Sequence, residues 1–158
     1  MVTVQRFEDL MMFQRARELT REVYKSLKDV KDHGFRDQIH RASVSVLSNI
    51  AEGFESGTKQ EFLNYLYIAK ASAGEVRAQT YVGYDVGYLN IEKFKYKNGL
   101  AEECSRLIAS FIGKLKAGGL AGTQYKRGKP RDVYAEILEQ AGFKRLSDGQ
   151  VVKKDADV

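Results

Sequence analysis

Four successive stretches of this chain repeat apolar residues every three or four positions, a period that fits one face of a helix and not the alternation of a strand. The first stripe is Met12, Ala16, Leu19, Val23 and Leu27, with Leu10, Phe13 and Tyr24 beside it. The second is Phe35, Ile39, Ala42, Val46 and Ile50. The third is Phe62, Leu66, Ala69, Ala73, Val76, Thr80, Gly83 and Gly87, and the fourth is Leu100, Cys104, Leu107, Phe111 and Leu115. These spacings predict helices over about 7–29, 35–54, 58–88 and 91–116. The punctuation agrees. Lys31, Asp32, His33 and Gly34 form a short polar connection, and Gly53 reads as the end of the second helix. Thr58 followed by Glu61 is a capping-box pattern, and Asn90 is a good N-cap for the fourth helix. Long helices with short connections run antiparallel to their neighbours. The expected fold is therefore all-α, an up-down-up-down antiparallel four-helix bundle. At 158 residues the chain is long enough to bury a real core.

The second helix carries a further, unusual stripe: Gln38, Arg41, Ser45, Ser48 or Asn49, and Glu52. Ser and Asn are poor helix formers, because their short side chains compete for nearby backbone hydrogen bonds. A solvated face is more easily made of Lys, Glu and Arg. The stripe therefore suggests a helix packed on two sides, one toward its own core and one toward a partner; an ordinary exposed face is the plain alternative. In the third helix Gly74, Gly83 and Gly87 each carry the helix-interior cost of glycine, about 1 kcal/mol relative to Ala. They are expected where another backbone or a large side chain comes close. Tyr81, Tyr84 and Tyr88 lie on an adjacent face, as core edges or as anchors for a partner.

Beyond the fourth helix the chain changes character. The expected organisation is a bundle over 1–117, a basic Gly-rich linker over 118–131, and a small extension over 132–158. Asp132 can cap a short helix stopped by Gly142, and FKRL and QVVK flank Ser147-Asp148-Gly149, a hairpin signal. The extension is expected to pack on the bundle or a partner, or to stay partly mobile. Net charge is +5 and unevenly spread. Residues 1–111 hold 16 Lys and Arg against 15 Asp and Glu, and the remaining 47 hold 10 against 6. From Lys114 to Arg131 there is no acid at all, only Lys114, Lys116, Lys126, Arg127, Lys129 and Arg131. These six are the candidate nucleic-acid-binding residues, through phosphate contacts; the plain alternative is a solvated linker.

Several chemistries lack their residues. His33, His40 and Cys104 make no metal-ligand spacing, so no metal or cofactor is expected. Cys104 lies on an apolar stripe and reads as a core residue. The Gly118-Gly119 to Gly122 run has neither the spacing of a phosphate cradle nor a strand before it. Glu52 and Glu75 could form a paired-carboxylate site, but pairing with Arg41, Arg77 or another subunit's arginine is the expected role. No run of about 18 apolar residues spans a membrane. MVTVQRFEDL has no secretory pattern, and one cysteine fits a reducing compartment, so a cytoplasmic location is expected.

The run RASVSVLSNIAEGFESG, Arg41 to Gly57, resembles the signature of the 23S rRNA intervening-sequence proteins, also called S23 proteins. EFLNYLYIAKASAGEVRAQTYVGYDVGYL, Glu61 to Leu89, and FEDLMMFQRARELTREVY, Phe7 to Tyr24, are similar to further blocks of that family. The resemblance covers roughly residues 5–117. It implies an up-down bundle that assembles into a ring-shaped homo-oligomer, a pentamer in known members, without enzymatic activity. It also implies kinship with accessory subunits of reverse transcriptases in diversity-generating retroelements. Carried over by position, the motif residues are Gln38, Arg41, Ser45, Asn49, Glu52, Gly53, Glu61, Ser72 and Glu75, with structural or subunit-contacting roles. The extension has no counterpart to borrow from.

Three functions follow as expectations. The first is a non-enzymatic homo-oligomer associated with nucleic acid, RNA in the first instance, through its backbone. The second is a protein-interaction scaffold, or an accessory subunit of a reverse transcriptase or other RNA-acting protein. The third, and least favoured, is an enzyme with an Arg-Glu-Asn pocket.

Overall fold

A computed structural model describes residues 4–118 and 132–154. They belong to two compact units, divided between Tyr125 and Lys126.

In the first unit, helices α1 (Met11–Leu27), α2 (His33–Glu55), α3 (Lys59–Asp85) and α4 (Ile91–Lys116) follow one another with short connections. Each helix packs on its two neighbours, in the order α1–α2, α2–α3, α3–α4 and α4–α1. Contacts along each seam step in opposite directions. On α1–α2 the Thr20 hydroxyl donates to the Ser43 carbonyl at 3.0 Å, and Tyr24 stacks on His40. On α2–α3 Ser45 meets Ser72 while Gly53 meets Tyr65. The expected up-down-up-down bundle is what the chain forms. Its core holds Leu19, Val23, Ile39, Val46, Ile50, Leu66, Val76, Ile108 and Phe111, each at most 1% exposed.

The caps are those read from the sequence. Thr58 Oγ1 accepts from the Glu61 amide at 3.2 Å and donates to its carboxylate at 2.7 Å. Asn90 Oδ1 accepts from the Lys93 amide at 2.8 Å.

Three details differ from expectation. The first predicted helix is broken: a 3-10 turn, Phe7–Asp9, ends at Leu10, whose extended backbone (φ −74°, ψ 127°) turns its side chain into the core before α1 begins. Gly53 does not end α2, which continues to Glu55; the left-handed residue of that turn is Gly57, φ +87°. Gly87 lies past α3 at φ +83° in the turn to α4, so its backbone conformation, not close packing, explains it.

The α1–α4 seam is polar at its edge. Arg15 binds Glu18 at 2.8 Å and Glu103 at 3.1 Å, and the Tyr96 hydroxyl also donates to Glu18. The Tyr96 bond, then Arg15, holds the Glu18 carboxyl below its ordinary 4.5. A depressed carboxyl stabilises the fold above its unfolded pKa, and that stability is lost as pH falls through the folded value. Urea unfolding of Glu18→Gln is thus expected to show a shallower loss of stability below pH 4.5 than the parent. Superimposable acid limbs for the two proteins would rule this linkage out.

The second unit is small. Asp132 accepts from the Ala135 amide at 3.0 Å and caps α5 (Val133–Gln140), and Gly142 turns the chain at φ +80°. Strands β1 (Phe143–Arg145) and β2 (Val151–Lys153) pair antiparallel, with Lys144 opposite Val152. Gly149, at φ +89°, lies in the predicted turn. Lys154 binds Glu139 at 2.8 Å, tying the hairpin's end to α5.

Candidate functional site

The small polar residues of α2 are where two helices come close. Ser45 Oγ and Ser72 Oγ are 2.8 Å apart across the α2–α3 seam. Asn49 Nδ2 donates to the Ser45 carbonyl at 2.8 Å and to its hydroxyl at 3.0 Å. One turn further, a Cβ on Gly53 would lie 2.8 Å from both Phe62 Cδ2 and Tyr65 Cβ. Only a residue without a side chain fits there. Ser45 and Ser72 therefore tie α2 to α3, Gly53 lets the two helices approach, and Asn49 bonds back to Ser45 within α2.

The rest of the motif set faces out. Gln38, Arg41, Glu52 and Glu75 are exposed, and Glu61 belongs to the α3 cap. Neither Glu52 nor Glu75 pairs with Arg41 or Arg77 inside the chain. Asp37, one turn before Arg41, takes its guanidinium, and Glu75 accepts from Gln79 Nε2 at 3.2 Å. Residues four apart on a helix are the nearest neighbours available, and these local pairs win over pairs across the seam. Glu52 has no hydrogen-bond or ion-pair partner among the described residues.

The outward face of α3 is short of charge. Tyr67, Ile68, Ala71, Gly74, Ala78 and Val82 are all exposed on it, Ile68 at 49% and Val82 at 48%. A Cβ on Gly74 would meet nothing within 4 Å, so nothing inside the chain accounts for that glycine. Gly83 behaves as expected: its Cβ would stand 3.1 Å from Leu89 and Phe35.

The three tyrosines separate. Tyr88 donates to Asp32 Oδ2 at 2.8 Å and joins the α1–α2 connection to the end of α3. Tyr81 and Tyr84, 52% and 43% exposed, pack their rings on Phe94, 5.0 and 5.3 Å away. With Val82, Val86 and Ile91 they make an exposed apolar corner.

Of the candidate phosphate-binding residues, Lys114 and Lys116 occupy the last turn of α4, and Lys116 Nζ stands 5.2 Å from the Tyr67 ring centre. Lys126, Arg127, Lys129 and Arg131 lie outside the described residues. Charge sorts by helix. α1 and α4 carry four and six cations against two and three carboxylates, while α2 and α3 carry two and three against three and three. The four helices together carry 15 cations against 11 carboxylates, sorted into one basic layer, α1–α4, in which Lys97 alone among the cations is buried, and one slightly acidic layer, α2–α3. The total charge of the bundle does not show this division. The signal was in the spacing: Arg17, Arg21, Lys25 and Lys28 follow one another by four, four and three along α1.

Lys97, on the buried face of α4, is 1% exposed. Burial pushes its pKa down, and the nearby Glu22 draws it back up. Its polar side chain kept it out of the predicted stripe. Cys104 is fully buried, and burial pushes its thiol up to about 12, so it carries no thiolate at neutral pH. Among the described residues no group of three or more His, Cys, Asp or Glu is placed to hold a metal ion. No helix there is long and apolar enough to cross a membrane.

No curated protein matches the chain. A protein of unknown function from the S23 ribosomal protein family of Bacteroides thetaiotaomicron VPI-5482 has a similar fold, with a TM-score of 0.61 at 24% identity. The similarity covers 65% of this chain and 98% of that one. The family model described as 23S rRNA-intervening sequence protein matches residues 8–110, which takes in all of α1, α2 and α3 and most of α4. On that match, the chain belongs to the 23S rRNA-intervening sequence protein family.

Proposed function

We propose that this protein is a non-enzymatic homo-oligomer that associates with nucleic acid, RNA in the first instance, and that its two layers divide the work. The observation that carries this reading is the sorting of charge between α1–α4 and α2–α3. The outer surface of α2–α3 is about 35 Å long and about 20 Å wide, on the order of 700 Å². A stable interface buries about 800 Å² per partner. Setting this surface of low net charge against a different patch of the next copy, as a closed ring requires, hides Ile68, Ala71, Ala78 and Val82 and leaves the basic layer in water. In a closed ring, five subunits by the family's pattern, the basic layer recurs once per subunit. Modest local charge then becomes a multivalent surface for phosphates.

The decisive measurement is mass in solution by light scattering, with the ratio of absorbance at the nucleic-acid and protein maxima read on the same peak. A multimer that carries nucleic acid, released as salt rises, is expected. A monomer at every concentration would overturn the assembly, and affinity for RNA independent of salt would overturn the phosphate contacts.

Gly74→Ala gives a sign test. On a face left in water it should add about 1 kcal/mol of stability by helix propensity alone. Against a closely packed neighbour it should weaken assembly, and that is the expected result. A more stable protein with unchanged mass would place the contact elsewhere.

A second reading rests on the exposed corner of Tyr81, Tyr84, Val86 and Ile91, each at least 43% exposed. Apolar patches of this kind mark protein contacts. Here the protein would be an accessory subunit of a reverse transcriptase or other RNA-acting enzyme. Co-purification of such an enzyme with the native protein but not with Tyr81→Ser/Tyr84→Ser supports it, and equal recovery with both proteins removes it.

A further inference from the structure

The ridge along α1 ends beside a ready-made aromatic stack. Tyr24 and His40 lie parallel across the α1–α2 seam, ring centres 3.8 Å apart and planes within 9°. His40 covers one face of the tyrosine, and Tyr24 is still 46% exposed. On the same side of α1 stand Arg17, Arg21, Lys25 and Lys28, all exposed. Arg17, Lys25 and Lys28 have no ion-pair partner among the described residues, and Arg21 has only Glu22, at 3.6 Å. The other carboxylate of α1, Glu18, is engaged toward α4 by Tyr96 and by Arg15. Cations four residues apart on a helix are about 6 Å apart along its axis, comparable to the step between successive phosphates of one strand.

We infer that the outer edge of α1 is a binding site for single-stranded nucleic acid, with Arg17, Arg21, Lys25 and Lys28 following the backbone and one base stacking on the face of Tyr24 away from His40. The inference rests on the nucleic-acid reading above and adds a location and a strand form to it. A base in a duplex is already stacked on both faces and cannot reach such a platform. An unpaired base can, and it extends the base–tyrosine–histidine stack without regard to its identity. The plain role of Lys25 and Lys28, facing the negative end of the α1 dipole, does not account for Arg17 or for the exposed ring.

The test is fluorescence anisotropy of the full chain with short labelled oligouridylate, oligothymidylate and a duplex of matched length, each over a range of salt. Tyr24→Ala is expected to weaken both single strands by roughly tenfold and leave the duplex unchanged. Arg17→Gln/Arg21→Gln/Lys25→Gln, at exposed positions where Gln keeps the helix, is expected to flatten the salt slope by about 2, from about 0.7 per phosphate on a single strand. Parent-like affinity and slope in both variants, with binding lost in Lys126→Gln/Arg127→Gln/Lys129→Gln/Arg131→Gln, would overturn this site and leave the nucleic-acid reading standing. No binding of any probe by the parent would overturn both. Preference for oligouridylate over oligothymidylate would assign the natural strand as RNA.

Discussion

Gly53→Val is expected to destabilise the bundle by about 3 kcal/mol, the upper part of the range for overpacking a filled core. Any Cβ at this position would sit 2.8 Å from Phe62 Cδ2 and from Tyr65 Cβ. The phenylalanine ring can rotate away, but Tyr65 Cβ is fixed to the α3 backbone, so α2 and α3 would have to separate. Ser45 and Ser72, 2.8 Å apart on the same seam, would separate with them. Even Gly53→Ala, which gains about 1 kcal/mol in helix propensity, should come out net destabilising. At roughly 2–4 °C per kcal/mol for a chain near this size, the valine variant should melt about 6–12 °C below the parent. A loss under about 1 kcal/mol would mean that the two helices are not held this close.

Ala71→Glu/Ala78→Glu is expected to leave the subunit folded and abolish its assembly. Both alanines are exposed on the outward face of α3, where glutamate is a good helix former, so each change should cost the isolated subunit no more than about 0.5 kcal/mol. In an assembly that buries this face, the same changes place two uncompensated carboxylates in the contact. Such groups cost several kcal/mol each unless paired. The expected outcome is a monomer by light scattering with parent-like circular dichroism. An intact multimer would move the interface off α3. Loss of helical signal would mean instead that the face supports the fold of the subunit itself.

Both outcomes bear on how much of the molecule could be read from its sequence. The four helices, the caps at Thr58, Asn90 and Asp132, and the hairpin turn were legible because each depends on residues within a few positions of one another. The misreadings share a cause. Gly53 looked like a helix end because glycine often ends helices, but it is buried inside α2 by contact with α3. Leu10 looked helical by period, but it enters the core from an extended backbone. Lys97 is charged and so falls outside the apolar stripe, although it is 1% exposed.

The candidate site divided in the same way. Sequence spacing marks Ser45 and Asn49 as unusual for a solvated helix, and the family resemblance adds Ser72; Ser45 meets Ser72 at the α2–α3 seam, and Asn49 bonds to Ser45 beside it. The same stripe holds Arg41 and Glu52, and the resemblance adds Glu75, whereas Arg41 and Glu75 are satisfied along their own helices and Glu52 faces out.

By itself the sequence determined the helices, their order and the family, because periodicity, capping and motif are local or collinear properties. Only the tertiary structure decided which helices share a layer. That put α1 beside α4 and gave the bundle a basic side, brought Tyr24 onto His40, and left Gly74 facing open space. The reason is physical: these features depend on side chains tens of residues apart, and packing fixes their neighbours.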